Sequence, residues 1–197
     1  MLKAILYSAL LVGCVTAAGG PRQATTSTSV VHRLFLEDQK DREGPAASLA
    51  WDKIAPRDQA RREKVHGLLA AGDLTSAEDF HDAAYIYQHG QDPKDYLMAH
   101  LLAMMAVQKG DKSSLWISAA TLDRYLRAVQ QPQIFGTQYG SVNNGPYTQE
   151  PYDQVLIPDA LRLAFCVPEL EQQRKNVVEF NAGKYPEEKL VPPGCSR

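Results

Sequence analysis

The chain has 197 residues, 44% of them hydrophobic and 22% charged, a balance that suits a folded globular domain and excludes a disordered or fibrous chain. Its 21 Lys and Arg stand against 23 Asp and Glu, for a formal net charge of −2. That charge supplies no general basic surface to neutralise phosphates, so nucleic acid is not an expected partner.

The N-terminus reads as an export signal over residues 1–18. Met1-Leu2-Lys3 gives a positive start, and Ala4 to Gly13 runs without charge. Ten helical residues rise only about 15 Å, short of a hydrocarbon core of about 30 Å, but right for the apolar part of a leader. Leu11-Val12-Gly13-Cys14 resembles a bacterial lipobox, in which Cys14 would be the acylated residue. Ordinary cleavage near Ala17 or Ala18 is the alternative. The first route gives a membrane-anchored lipoprotein that touches the membrane only through its acylated N-terminus; the second gives a periplasmic or secreted protein. Residues 19–30 read as a flexible polar tether, 31–183 as a single helical domain, and 184–197 as a Pro-rich tail.

Within the domain, a short helix is expected from Val31 to Arg42, stopped by Gly44-Pro45. Pro56 predicts the start of a second helix, Arg57 to Ala71. A third, Thr75 to His89, opens on the capping-box pattern Thr75-Ser76-Ala77-Glu78. Asp92-Pro93 has the chemistry of an N-cap and first helical position, and the helix it opens is apolar on nearly every side from Leu97 to Val107. Such a helix is expected to be buried all round. Ser113 or Ser114 caps a fifth helix reaching about Gln130, with Leu115, Ala119, Leu122, Leu126 and Val129 inward.

After Pro132 the pattern changes. Ile134 to Tyr139 and Tyr147 to Tyr152 flank Asn144-Gly145, a preferred hairpin turn, although Pro146 and Pro151 weaken the second strand. A short helical turn from Pro158 to Leu163 and a last helix from Pro168 to Asn181 complete the domain. With Cys14 acylated or removed, Cys166 and Cys195 are an even pair, which in an oxidising compartment reads as one disulfide. The fold class is mainly α: a compact bundle of antiparallel helices with a C-terminal β-hairpin or extended segment and a short last helix.

Several segments together resemble an uncharacterised bacterial family, a domain of unknown function. They are Tyr87-Gln88-His89-Gly90, Asp95-Tyr96 with His100, Thr121-Leu122-Asp123-Arg124 and Phe135-Gly136-Thr137-Gln138. Glu37 to Arg42, Trp51 to Arg62 and Cys166-Val167-Pro168 also fit. The resemblance implies a fold and no established activity. The helix pairs are more weakly similar to Sel1 and tetratricopeptide hairpins, over too few units for a solenoid.

No phosphate-cradling Gly loop, zinc-protease helix, nucleophile elbow or Cys-x-x-Cys motif occurs. What remains is polar residues in apolar settings. His100 is expected in the core, paired with Asp123, and His89 at a helix C-terminus, where a cation is favourable. His89, His100 and Asp123 are the candidate catalytic residues, with Asp123 orienting an imidazole base. Gln88, Arg124, Thr137 and Gln138 are the candidate ligand-binding residues, and Arg127 a neighbouring positive charge. His81, His89, His100 and Asp123 lack any spacing that requires a metal, so no metal and no cofactor is expected. Arg57, Arg61, Arg62 and Lys64 read as a solvated basic face. Two functions follow. One is an extracytoplasmic module of the cell envelope that binds a small ligand or a protein partner. The other is a small hydrolase-like enzyme built on a His/Asp pair.

Overall fold

A computed structural model of the chain describes residues 25–45, 48–141, 143, 145–184, 190–192 and 194–195. The export signal and Cys14 lie outside the described residues. Among the described residues, seven helices carry the fold: α1 (Thr25–Lys40), α2 (Trp51–Ala70), α3 (Ala77–Tyr87), α4 (Pro93–Gln108), α5 (Ser114–Ala128), α6 (Asp159–Ala164) and α7 (Leu170–Asn181). Two short strands, β1 (Gly140–Ser141) and β2 (Tyr147–Thr148), pair antiparallel with Gly140 opposite Thr148 and Ser141 opposite Tyr147. The mainly-α class with a small C-terminal sheet is the architecture expected from the sequence.

Short connections make α3, α4 and α5 sequential antiparallel neighbours, and α1 packs back across α3. Small side chains line the α3–α4 contact: Ala83, Ala84, Ala99, Ala103 and Ala106 are all fully buried. Without bulky groups between them the two backbones approach closely, and Ile86, Leu102 and Ile117 fill the remaining space. A second, smaller core gathers Ala119 of α5 with Phe135, Ile157 and Val167 from the C-terminal third. Cys166 Sγ and Cys195 Sγ lie 2.10 Å apart, at disulfide distance, which ties the terminal segment to this second core.

Several boundaries differ from the sequence reading. Helix α1 begins at Thr25, inside the stretch read as a tether. Helix α2 runs through Pro56 instead of starting after it. The missing proline N–H leaves the Asp52 carbonyl without its helical donor, and both residues are exposed, so water can supply one. The α3 capping box is Ser76 with Asp79, one residue later than Thr75 with Glu78: Ser76 Oγ accepts from Asp79 N at 3.0 Å, and Asp79 Oδ2 accepts from Ser76 N at 2.8 Å. Asp92 caps α4 as expected, accepting from Lys94 N at 2.9 Å. That helix is not buried all round. Leu97, Leu101, Met104 and Met105 are 37–53% exposed, because α3 and α5 cover only part of its circumference.

Helix α5 is capped by neither serine side chain; Asp111 instead accepts from Ser113 N at 2.9 Å and from Ser114 Oγ at 2.6 Å. Its buried side is Ile117, Ala120, Thr121 and Asp123 with Ala119, while Val129 is exposed. The segment from Ile134 to Tyr139 is not a strand. Most of its N–H groups are taken by side chains, described below; pairing lies in the two-residue strands beyond it and in an isolated parallel bridge between Gln133, just before it, and Tyr152. The expected turn residue Asn144 lies outside the described residues.

Candidate functional site

Helices α1 and α2 are joined by a charge cluster with equal numbers of carboxylates and guanidiniums. Asp38, fully buried, accepts from Arg42 NH1 at 3.0 Å and from Gln39 Nε2 at 2.9 Å. Arg42 also donates to Asp58 at 2.6 Å, and Arg61 donates to Asp58 at 2.8 Å and to Asp41. Arg57 closes a bidentate pair on Asp41, both bonds 2.8 Å. Arg61 is thus a buried cross-link and not part of a solvated basic face. A buried pair whose members are all matched is costly to break, so this cluster fixes where α1 sits on α2.

His89 leans on the cluster. It lies beyond the last residue of α3 and does not cap the helix; its Nδ1 donates to Asp38 Oδ2 at 2.9 Å. Burial pushes the His89 imidazole below its ordinary value, Asp38 opposes this, and Arg42 and Arg124 add to it. The neighbouring Gly90 is required by space, since a Cβ there would overlap the Asp95 side chain.

Asp123 is fully buried and organises the segment that follows α5. Its Oδ1 accepts from Ile134 N at 2.8 Å and Phe135 N at 3.0 Å; its Oδ2 accepts from Thr137 N at 2.9 Å and Thr137 Oγ1 at 2.8 Å. Burial pushes its carboxyl up, against the pull of these donors. Neither histidine reaches it. His100 is half-buried and its Nδ1 bonds to Ser118 O at 2.8 Å. The expected His100–Asp123 pair does not form, because the loop N–H groups saturate the carboxylate. Thr137 is likewise committed to Asp123 and is not a free ligand contact.

The loop built on Asp123 delivers Gln138 to Arg124. Gln138 Oε1 accepts from Arg124 Nε at 3.1 Å, and its Nε2 donates to Ala120 O at 3.2 Å and Thr137 Oγ1 at 3.0 Å. Arg124 NH1 donates to Gln88 O at 3.0 Å. Three distant segments therefore meet at one guanidinium: Gln88 through its carbonyl, Arg124 from α5, and Gln138 from the loop. Here lies an open cavity of about 370 Å³ lined by Tyr96, Arg124, Arg127, Ala128 and Gln138.

Its electrostatics differ from those of the α1–α2 cluster. Among the described residues, neither Arg124 nor Arg127 has a carboxylate within 4.0 Å. Burial pushes the Arg124 guanidinium down, Tyr96 opposes this, and Arg42 and Arg127 press in the same direction as burial. An arginine stays charged at neutral pH all the same. Arg127 and the Tyr96 hydroxyl make no hydrogen bond among the described residues, and the NH2 group of Arg124 is unused there. The free side-chain groups facing the cavity are thus two guanidiniums, which only donate, and a phenol hydroxyl, which can donate or accept.

The sequence reading found Arg124 and Gln138 and missed Tyr96 as a site residue. The available signal was register: Arg124 and Arg127 stand three apart on one helix face, and Tyr96 lies in the first turn of the helix packed against it. Among the described residues, His81, His89, His100 and Asp123 do not converge. His81 Nδ1 lies 2.8 Å from Ser114 Oγ and 3.1 Å from Asp111 Oδ2, a Ser-His-Asp grouping in composition only. A hydrolytic triad divides serine and carboxylate between the two ring nitrogens; here one nitrogen faces both, and Ser114 is fully buried. No protein-family model, no curated protein and no solved structure matches the chain.

Proposed function

We propose that the protein is an extracytoplasmic binding module whose cavity between α4, α5 and the Asp123-organised loop takes the oxyanion of a small molecule. The observation that carries this is the half-buried Arg124, held in place by Gln138 and Gln88 and, among the described residues, without a carboxylate within 4.0 Å. Two guanidiniums, which only donate, favour a ligand group that only accepts, and their fork suits phosphate or carboxylate geometry. A volume of about 370 Å³ exceeds that of a bare phosphate and sits at the small end of metabolite clefts. Export is supported by the Cys166–Cys195 pair, since disulfides persist in oxidising compartments. No described helix is long and apolar enough to cross a membrane, so anchoring would rest on acylated Cys14. The hydrolase reading has lost its His/Asp pair and gains no support from the cavity, which no histidine lines.

The test is a calorimetric titration with inorganic phosphate, glycerol 3-phosphate and glucuronate. At least one should bind with one-site stoichiometry and weaken as salt rises. Arg127→Gln removes a guanidinium that makes no hydrogen bond among the described residues, so the variant should melt like wild type yet bind about 10–100-fold more weakly, the loss of one charge-assisted contact. Absence of saturable binding by all three anions, or an unaltered affinity in the variant, would refute the proposal.

A further inference from the structure

A second constellation lies away from the cavity, where α1 crosses the start of α3. His32 of α1 faces Glu78 and Asp82, which stand four apart on one face of α3. His32 Nδ1 is 2.8 Å from Asp82 Oδ2 and 3.7 Å from Glu78 Oε1. One ligating atom from each of the three residues lies within 4.8 Å of the others.

Asp82 makes this more than a surface ion pair. Its side chain is only 3% exposed, and outside this group it has no hydrogen-bond partner among the described residues. A carboxylate this little exposed is best served by a cation or a set of donors, and among the described residues Asp82 has one imidazole. A single proton on Nδ1 can serve Asp82 but leaves Glu78 unmatched. A divalent cation would serve all three ligands at once.

We propose that His32, Glu78 and Asp82 form a zinc-class metal site that ties α1 to α3. Tetrahedral zinc with ligand bonds of about 2.0–2.2 Å sets neighbouring ligand atoms about 3.3 Å apart. The observed 2.8 Å and 3.7 Å bracket that edge, so small rotamer adjustments admit the ion. The side chains of His32 and Glu78 are 42% and 59% exposed, leaving the ion an entry path and a water for its fourth position. One imidazole with two carboxylates favours a borderline ion over magnesium or calcium, which prefer all-oxygen sites, and over copper(I), which prefers sulfur. The site does not depend on the anion cavity, and either can fail without the other.

The experiment titrates the tag-free chain with zinc by calorimetry, with calcium and magnesium as controls and the visible spectrum of cobalt as a report of geometry. The expected result is one zinc bound per chain, a tetrahedral cobalt spectrum, and a thermal midpoint raised by about 5–10 °C at a hundredfold excess over Kd. His32→Ala and Asp82→Asn should weaken zinc binding at least tenfold. Glu78→Gln changes an exposed side chain, should melt normally without metal, and should weaken binding about tenfold. If the Asp82 variant does not fold, the Glu78 variant decides alone. The proposal is overturned if zinc does not saturate at one site, if Glu78→Gln binds as wild type does, or if calcium or magnesium binds more tightly than zinc.

Discussion

His89 stands between a buried carboxylate and two guanidiniums, and its titration follows from that position. The folded protein holds its imidazole below the ordinary value of 6.5, chiefly through burial, so the unfolded chain takes up a proton first as pH falls. The contribution of His89 is therefore complete above about pH 6.5 and is lost progressively as pH falls towards the depressed folded value. Urea unfolding midpoints should decline across this range in wild type and decline less in His89→Gln, which retains a neutral donor for Asp38. Equal declines in both proteins would show that His89 is not the group responsible. Arg124 is treated differently by the same surroundings. It remains cationic, and with its Nε and NH1 engaged by neutral acceptors it has charge left for a ligand.

The loop from Gln133 to Gln138 is the element on which the cavity depends, and it has no regular secondary structure to hold it. Side chains replace the missing backbone ladder: Asp123 takes three of its N–H groups, and Gln133 bonds both N and O of Gln138 at 3.0 Å. Gly136 permits the turn, with φ of +80° and a position where a Cβ would overlap Gln173 and the Tyr152 ring. Gly136→Ala should cost about 2–4 kcal/mol, combining the left-handed backbone penalty with overpacking, and should weaken anion binding by displacing Gln138. Chemical denaturation beside the titration checks both; an unchanged midpoint would mean the loop is not so constrained. Elements of this kind explain what could be read in advance. Asp92-Pro93 was legible because a cap and a first-turn proline act within one turn of chain. The capping box slid by one residue because Thr75 with Glu78 and Ser76 with Asp79 satisfy nearly the same local rule. The saturation of Asp123 was not legible, since three of its four donors are backbone N–H groups, which every residue but proline carries. The exposed face of α4 was misread because an apolar run reports what a helix could bury and not how many neighbours reach it.

Across the whole molecule, the charges sort into a matched set and an unmatched one. Asp38, Asp41 and Asp58 meet Arg42, Arg57 and Arg61 and hold the first two helices together, while Arg124 and Arg127 line a cavity and have no carboxylate within 4.0 Å among the described residues. The mainly helical class, the Cys166–Cys195 pair and two of the cavity residues were all visible in the sequence; that Gln88, Arg124 and Gln138 would meet depended on a loop whose course only tertiary contacts determine. The central claim is that this meeting point binds an oxyanion, and NMR mapping tests it most directly. Backbone amide and arginine side-chain resonances would be followed as glycerol 3-phosphate is added to the full chain. The account requires the Arg124 and Arg127 guanidinium signals and the Tyr96 and Gln138 amides to shift and saturate together, with α2 and the His32 region undisturbed. Saturating shifts confined to another surface, or none at these four residues with any of the three anions, would contradict it.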